Sequence, residues 1–359
     1  MSFYIKNVKS SIYNSTMEIE QLPKMNLSKL NYYQLLSYTF NELFGKLDSY
    51  KHRRYTSLIC YNNQFFWLYN TLSLDNDYDY DNCHYTVKEL NEAKDKAKMS
   101  LKAKISQYQL SPFNIHRNEY KEILGLDDIY GKYRYGKVEK FYLVDLQKKD
   151  IDDVILRNYE YKYSNYNNFT RVDNPIIHNK YNLNNNLKIR NNISEIGLDS
   201  HPFYTLCWSI KSNCIEDTCF YGNLLQAYLS HYGHSKLFEE LRIKAYQLYH
   251  FSSYFDNECN LFFIHFSSDV KKKNDIKNCV KNIMKKLWLS IEEFESIKTF
   301  LDTELRFLLD KQYGYNFYLF KLGQKYKKFA HPFYDIKKLN YLEFNSMVKN
   351  MTFIALDEG

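Results

Sequence analysis

The sequence predicts an α+β fold of two similar domains, each a mostly antiparallel sheet flanked by helices. Three observations support it. Only 10 glycines and 5 prolines interrupt 359 residues, so regular elements run long. Strand-like runs come in pairs next to helices, without the strand–helix–strand alternation of a parallel sheet. The same succession occurs in each half, although no repeat is visible residue by residue. The length fits about two domains: 1–165, a linker over 166–190, and 191–359.

Taken in order, "FYIKNV" and "STMEIEQL" open the chain as short strands. Residues 31–47 place Leu35, Leu36, Phe40, Leu43, Phe44 and Leu47 on one helical stripe. "YTSLICY" and "QFFWLYNTLSL" follow as a strand pair, then an Ala-, Lys- and Glu-rich amphipathic helix from Val87 to Leu110, which Pro112 stops. From Asn158 to Asn192 the text is Asn- and Tyr-rich with weak periodicity, which marks the crossing between domains. The second half opens with the strand "FYTLCWSI" and helical pieces around Gly233. Strands "YQLYHFSSYF" and "NLFFIHFSSD" come next, then two helices and a closing strand in "MTFIALDEG". Ser290 followed by Glu293 predicts a capping box at the start of the last long helix.

Composition narrows the function. An apolar fraction of 45% indicates a globular chain. The net charge of +7 is dispersed, and clusters such as Lys271-Lys272-Lys273 are short, so no nucleic-acid footprint is expected. The 7 cysteines form no CxxC, which suits reduced thiols and a cytoplasmic location. "MSFYIKNVKSSIY" has no apolar core of a signal peptide, and no apolar run is long enough for a membrane span. Nucleotide-binding and serine-nucleophile motifs are absent.

The most informative stretch runs from Gly233 to Phe255. Gly233, Ser235, Leu237, Phe238, Leu241, Arg242, Lys244 and Tyr249 are ordered as in the C-terminal domain of insulinase- or pitrilysin-type metallopeptidases, which the chain resembles. Residues 127–151 add a weaker match through Tyr130, Gly131, Gly136, Glu139, Leu143 and Leu146. The resemblance implies a half-shell of a peptidase chamber. It also implies that Arg242 and Tyr249 bind substrate, donating hydrogen bonds to a peptide backbone near its scissile carbonyl. A guanidinium suits this role because it is permanently charged and presents a rigid fork of donors. The competing reading pairs Arg242 with Glu239 and packs Tyr249 into its strand.

Catalysis in that family needs His-x-x-Glu-His on the first long helix. Its two histidines share one helical face for zinc, and its glutamate activates water. The sequence has no such string, and the first long helix has Glu42 but no histidine. The nearest string, "HRNEY", leaves a degenerate metal set of His116, Glu119 and Glu195 as an alternative; tyrosine, with a free pKa of about 10, is a poor second ligand. The resemblance therefore implies a non-catalytic, substrate-gripping subunit of a heterodimer. Its partner would carry His-x-x-Glu-His and the zinc, and this chain would need no cofactor of its own. Such pairs process or degrade modified peptides, as in biosynthesis of subtilosin-like bacteriocins. An active, degenerate zinc protease and a peptide-binding or immunity module remain as alternatives.

Overall fold

The computed structural model describes residues 2–6, 14–23, 25–48, 52–61, 64–73, 84–123, 133–163, 188–189, 203–210, 215–231, 235–243, 250–256, 260–310, 336–354 and 357–358. Tyr130, Gly131, Glu195, Tyr249 and nearly all of the expected linker lie outside them. The chain divides into two compact units. The first contains Met1–Gln109, Asp127–Ile177 and Leu308–Lys327; the second contains Leu110–Leu126, His178–Phe307 and Lys328–Gly359.

The first unit contains strands β1 (Ser2–Lys6), β2 (Asn14–Gln21), β3 (His52–Tyr61) and β4 (Gln64–Ser73), in the order β1-β2-β4-β3, all antiparallel. Helix α1 (Leu27–Leu47) enters between β2 and β3, and α2 (Val87–Gln109) follows β4. The helical stripe works as expected: Leu35, Leu36, Phe40, Leu43 and Phe44 are at most 4% exposed. Each contributes about 1.5–3 kcal/mol through burial. Leu47, at the end of that stripe, is instead exposed. Ala93 and Ala97 on α2 are buried in the same core and keep that face slim.

Polar groups on α1 and just beyond it hold the edge strand β3. The Asn41 amide donates to the Thr56 carbonyl at 2.9 Å and accepts from the Thr56 N–H at 2.7 Å. Asp48 accepts from the Arg54 N–H at 2.6 Å and from its Nε at 3.0 Å, both side chains being buried. Two outward backbone positions of this edge are thus occupied, which removes part of a template for strand addition.

Pro112 does more than end α2. It is the first residue of another helix, α3 (Pro112–Ile123), where the missing N–H costs nothing. Short α4 (Val138–Phe141) and then α5 (Lys148–Tyr163) return the chain to the first unit. Gly136 makes that return possible. Its φ is +85, and an added Cβ would sit 2.2 Å from Asn31 Oδ1, which accepts from the Lys137 N–H at 2.7 Å.

The second unit holds a four-stranded antiparallel sheet, its strands in the spatial order His250–Asp256, Leu261–Ser267, Phe203–Ser209 and Thr352–Ile354. Two-residue β5 (Lys188–Ile189) comes first, then β6 (Phe203–Ser209) and α6 (Ile215–Gln226), which continues into a π-helical turn at Ala227–His231. A second such turn, Phe238–Ile243, precedes β7 (His250–Asp256) and β8 (Leu261–Ser267). Helices α7 (Lys273–Lys286), α8 (Ile291–Asp310) and α9 (Tyr341–Lys349) follow, then β9 (Thr352–Ile354) and β10 (Asp357–Glu358), which pairs with β5. The capping box at α8 forms as its spacing predicts: the Ser290 N–H donates to Glu293 Oε2 at 2.7 Å, and the Glu293 N–H donates to Ser290 Oγ at 3.1 Å.

Candidate functional site

Arg242 stands on the π-helical turn that leads toward β7. Leu237 and Leu241, four residues apart, are fully buried and fix that turn to the core. Arg242 falls on the exposed side. Its guanidinium carbon lies 5.6 Å from the centroid of the Phe238 ring, and Phe238 in turn packs against Phe251 of β7 at 6.4 Å. A guanidinium stacked on an aromatic face keeps its in-plane N–H donors available. Other charged groups stand near the same turn. Glu240 pairs with Lys236 at 3.3 Å. The Tyr228 hydroxyl donates to Glu293 at 3.0 Å. Burial, followed by the charges of Glu293, Glu239 and Glu240, pushes the Tyr228 phenol well up. Arg242 is thus exposed, with its guanidinium over the Phe238 ring.

Helix α1 shows what the other half of such a site would need. Glu42 has Thr39 three residues before it and Leu43 directly after it, the two places where His-x-x-Glu-His has its histidines. Thr39 is 0% exposed and Leu43 1%, both inside the first unit's core. Glu42 accepts from Ser100 Oγ of α2 at 3.4 Å. One carboxylate, a threonine and a leucine do not make a zinc site, and no hydrolytic step can be derived through this helix. The helical stripe alone did not reveal this correspondence; aligning the string on Glu42 does.

The "HRNEY" string lies on α3, against the sheet of the second unit. His116 and Tyr120, one turn apart, both meet Thr205 of β6. His116 Nδ1 is 2.7 Å from Thr205 Oγ1, and the Tyr120 hydroxyl donates to the Thr205 carbonyl at 3.0 Å. Thr205 Oγ1 also lies 2.7 Å from His265 Nδ1 on β8. Next along the helix, Lys121 pairs with buried Asp256 of β7 at 3.0 Å. The tyrosine in place of a second histidine thus has a role of its own: it ties α3 to the sheet. Burial holds its phenol well above the ordinary value. Glu195 lies outside the described residues, and among the described residues no group of three His, Cys, Asp or Glu side chains could hold a metal ion.

Residues 145–301 match the family described as the Peptidase M16 inactive domain. That segment includes Arg242. Over that segment the chain is similar to the M16 inactive domain.

The fold of the whole chain agrees. A conserved protein from Enterococcus faecalis superposes with a TM-score of 0.64 at 13% identity, over 99% of this chain and 95% of that one. A protease from Helicobacter pylori gives 0.55 at 10% identity, over 98% and 96%. The periplasmic protease PqqL from Escherichia coli gives 0.53 at 9% identity; 96% of this chain is covered but only 42% of PqqL. Identities this low establish a shared fold and nothing finer. No curated protein matches the sequence. Among the described residues, no helix is long and apolar enough to cross a membrane.

Proposed function

We propose that this chain is the non-catalytic, substrate-gripping subunit of a heterodimeric zinc peptidase. The observation that carries the reading is a pairing of opposites. An M16 inactive domain presents Arg242 to solvent, while α1 holds Thr39 and Leu43 where zinc-binding histidines would stand. The partner is an M16 chain with His-x-x-Glu-His, and it supplies the metal and the activated water. This chain supplies hydrogen-bond donors, Arg242 and by resemblance Tyr249, to the backbone of a bound peptide. Donors placed where a carbonyl gains negative charge are worth about 3–4 kcal/mol each. The substrate is a peptide, with a modified bacteriocin-like precursor as the specific candidate, and the setting is cytoplasmic.

The test is co-purification with an M16 chain encoded beside this one, followed by peptide cleavage with each chain alone and with both. The proposal expects a stable complex and cleavage only by the pair. Full activity of the metal-bearing chain alone would overturn it.

A further inference from the structure

The threonine between His116 and His265 limits how many protons the pair can hold. Thr205 Oγ1 lies 2.7 Å from Nδ1 of each imidazole, one carried by α3 and the other by β8. All three residues belong to the second unit, as does α3, although first-unit residues flank that helix in sequence. His265 is 3% exposed, and its Nε2 is buried without a hydrogen-bond partner among the described residues. Phe113 of α3 meets that ring edge-on at 4.3 Å.

A hydroxyl carries one hydrogen and each neutral imidazole carries one. Both short contacts are satisfied by an uncharged pair: His265 Nδ1–H donates to Thr205, and Thr205 donates to His116 Nδ1. The reverse direction would leave an N–H on His265 Nε2, a buried donor with nothing to receive it. One added proton has two places to go. On His265 Nε2 it becomes that stranded donor and brings a charge with it. On His116 Nδ1 it turns the Thr205 hydroxyl hydrogen aside, and among the described residues the two imidazoles are the only partners of Thr205 Oγ1. Either way a buried hydrogen loses its acceptor.

The surrounding charges act in the same direction. Burial, then His116, Arg117 of α3 and His250 of β7, holds His265 well below its ordinary value. Asp256 of β7 is already paired with Lys121 of α3 at 3.0 Å. Glu119 and Cys207 bear on Tyr120. Glu122 is exposed, and β5, which also lies against α3, carries Lys188.

We propose that His116, Thr205 and His265 form a proton-operated latch, which holds α3 on the sheet while the imidazoles are uncharged and loosens it when they take up one proton. An imidazole released from the latch titrates near its free pKa of about 6.5. The loosened form thus binds a proton that the docked form refuses. Docking is therefore complete above about pH 6.5 and weakens as the pH falls below it.

The test is hydrogen exchange of the full chain at about pH 7.5 and about pH 5, corrected for intrinsic exchange rates, with α8 as internal reference. Protection over residues 112–123 should fall about tenfold or more at the lower pH, while that of α8 holds. His265→Asn keeps an N–H donor for Thr205 and takes up no proton. Its amide can turn over and accept instead when His116 is charged, so the pH dependence should shrink several-fold. The competing cause is Asp256, whose carboxylate has a free pKa of about 3.9. The midpoint of the loss in the unmodified chain separates the two and serves if His265→Asn does not fold. A midpoint between about pH 5 and pH 6.5 supports the latch. Protection that does not change, a midpoint below about pH 4, or an equal pH dependence in His265→Asn would overturn it.

Discussion

The two units can be compared position by position. β2, α1, β3, β4 and α2 of the first correspond to β6, α6, β7, β8 and α7 of the second. In both, a strand leads through a helix to an antiparallel hairpin, and the hairpin pairs back onto that strand through its second member. The units differ in what completes each sheet. β1, which precedes β2, fills the outer place in the first; β9, from the far C-terminal end, fills it in the second. The repeated middle is local in sequence, whereas the outer strand is recruited from wherever chain is available.

Each also sets a titratable group of its own against core side chains. The first has an acid, Glu18 on β2, which pairs with Tyr69 and by strand alternation shares the face of Tyr69 and Trp67 in the core with α1. The second has a base, Lys277, between two other lysines. Neither residue repeats the other's position. The two units thus share a topology and differ in the polar residues placed within it.

The largest expected difference between the units is at the Asp48–Arg54 pair, which belongs to the first alone. Arg54 lies 4.2 Å over the Phe44 ring, and burial holds Asp48 up although Arg54 opposes the shift. Arg54→Ala leaves that carboxylate buried without its cation and should cost about 3–5 kcal/mol in denaturant unfolding. A loss under about 1 kcal/mol would mean that the pair is hydrated and that the unit does not depend on it.

A smaller effect is expected at Glu18. Burial pushes its carboxyl up to about 9. The folded protein keeps this proton at pH values where the unfolded chain has released it. The favourable contribution is therefore complete below the unfolded pKa of about 4.3 and is lost as pH rises toward 9. Glu18→Gln should stabilise the protein by about 1 kcal/mol or more at pH 8 and remove that part of the pH slope. Unchanged stability at pH 8 would show that the carboxylate is solvated.

What the sequence makes legible is largely local. The stripe on α1, the two hairpins and the Ser290–Glu293 box each lie within one element or two adjacent ones, where periodicity and capping chemistry act. Pro112 is ambiguous for the opposite reason. A proline ends one helix and opens the next with equal ease, and only the docking of α3 on a strand some 80–90 residues away decides between them. The His116–Thr205–His265 contacts join three separate elements, and no local pattern announces them. Arg242 stands out in the sequence only through the family resemblance over Gly233 to Phe255, and its place over Phe238 depends on side-chain packing that the sequence does not encode.

The central claim is a division of labour, in which metal and water belong to one chain and a backbone-gripping arginine to the other. Its most direct test is the turnover of a peptide by the assembled pair with Arg242→Ala in this chain. Arg242 is exposed, so folding and assembly should be unaffected. The account predicts that kcat/KM falls tenfold or more, about 1.4 kcal/mol of lost transition-state stabilisation, while thermal stability stays the same. Unchanged turnover by a complex that still assembles would contradict it.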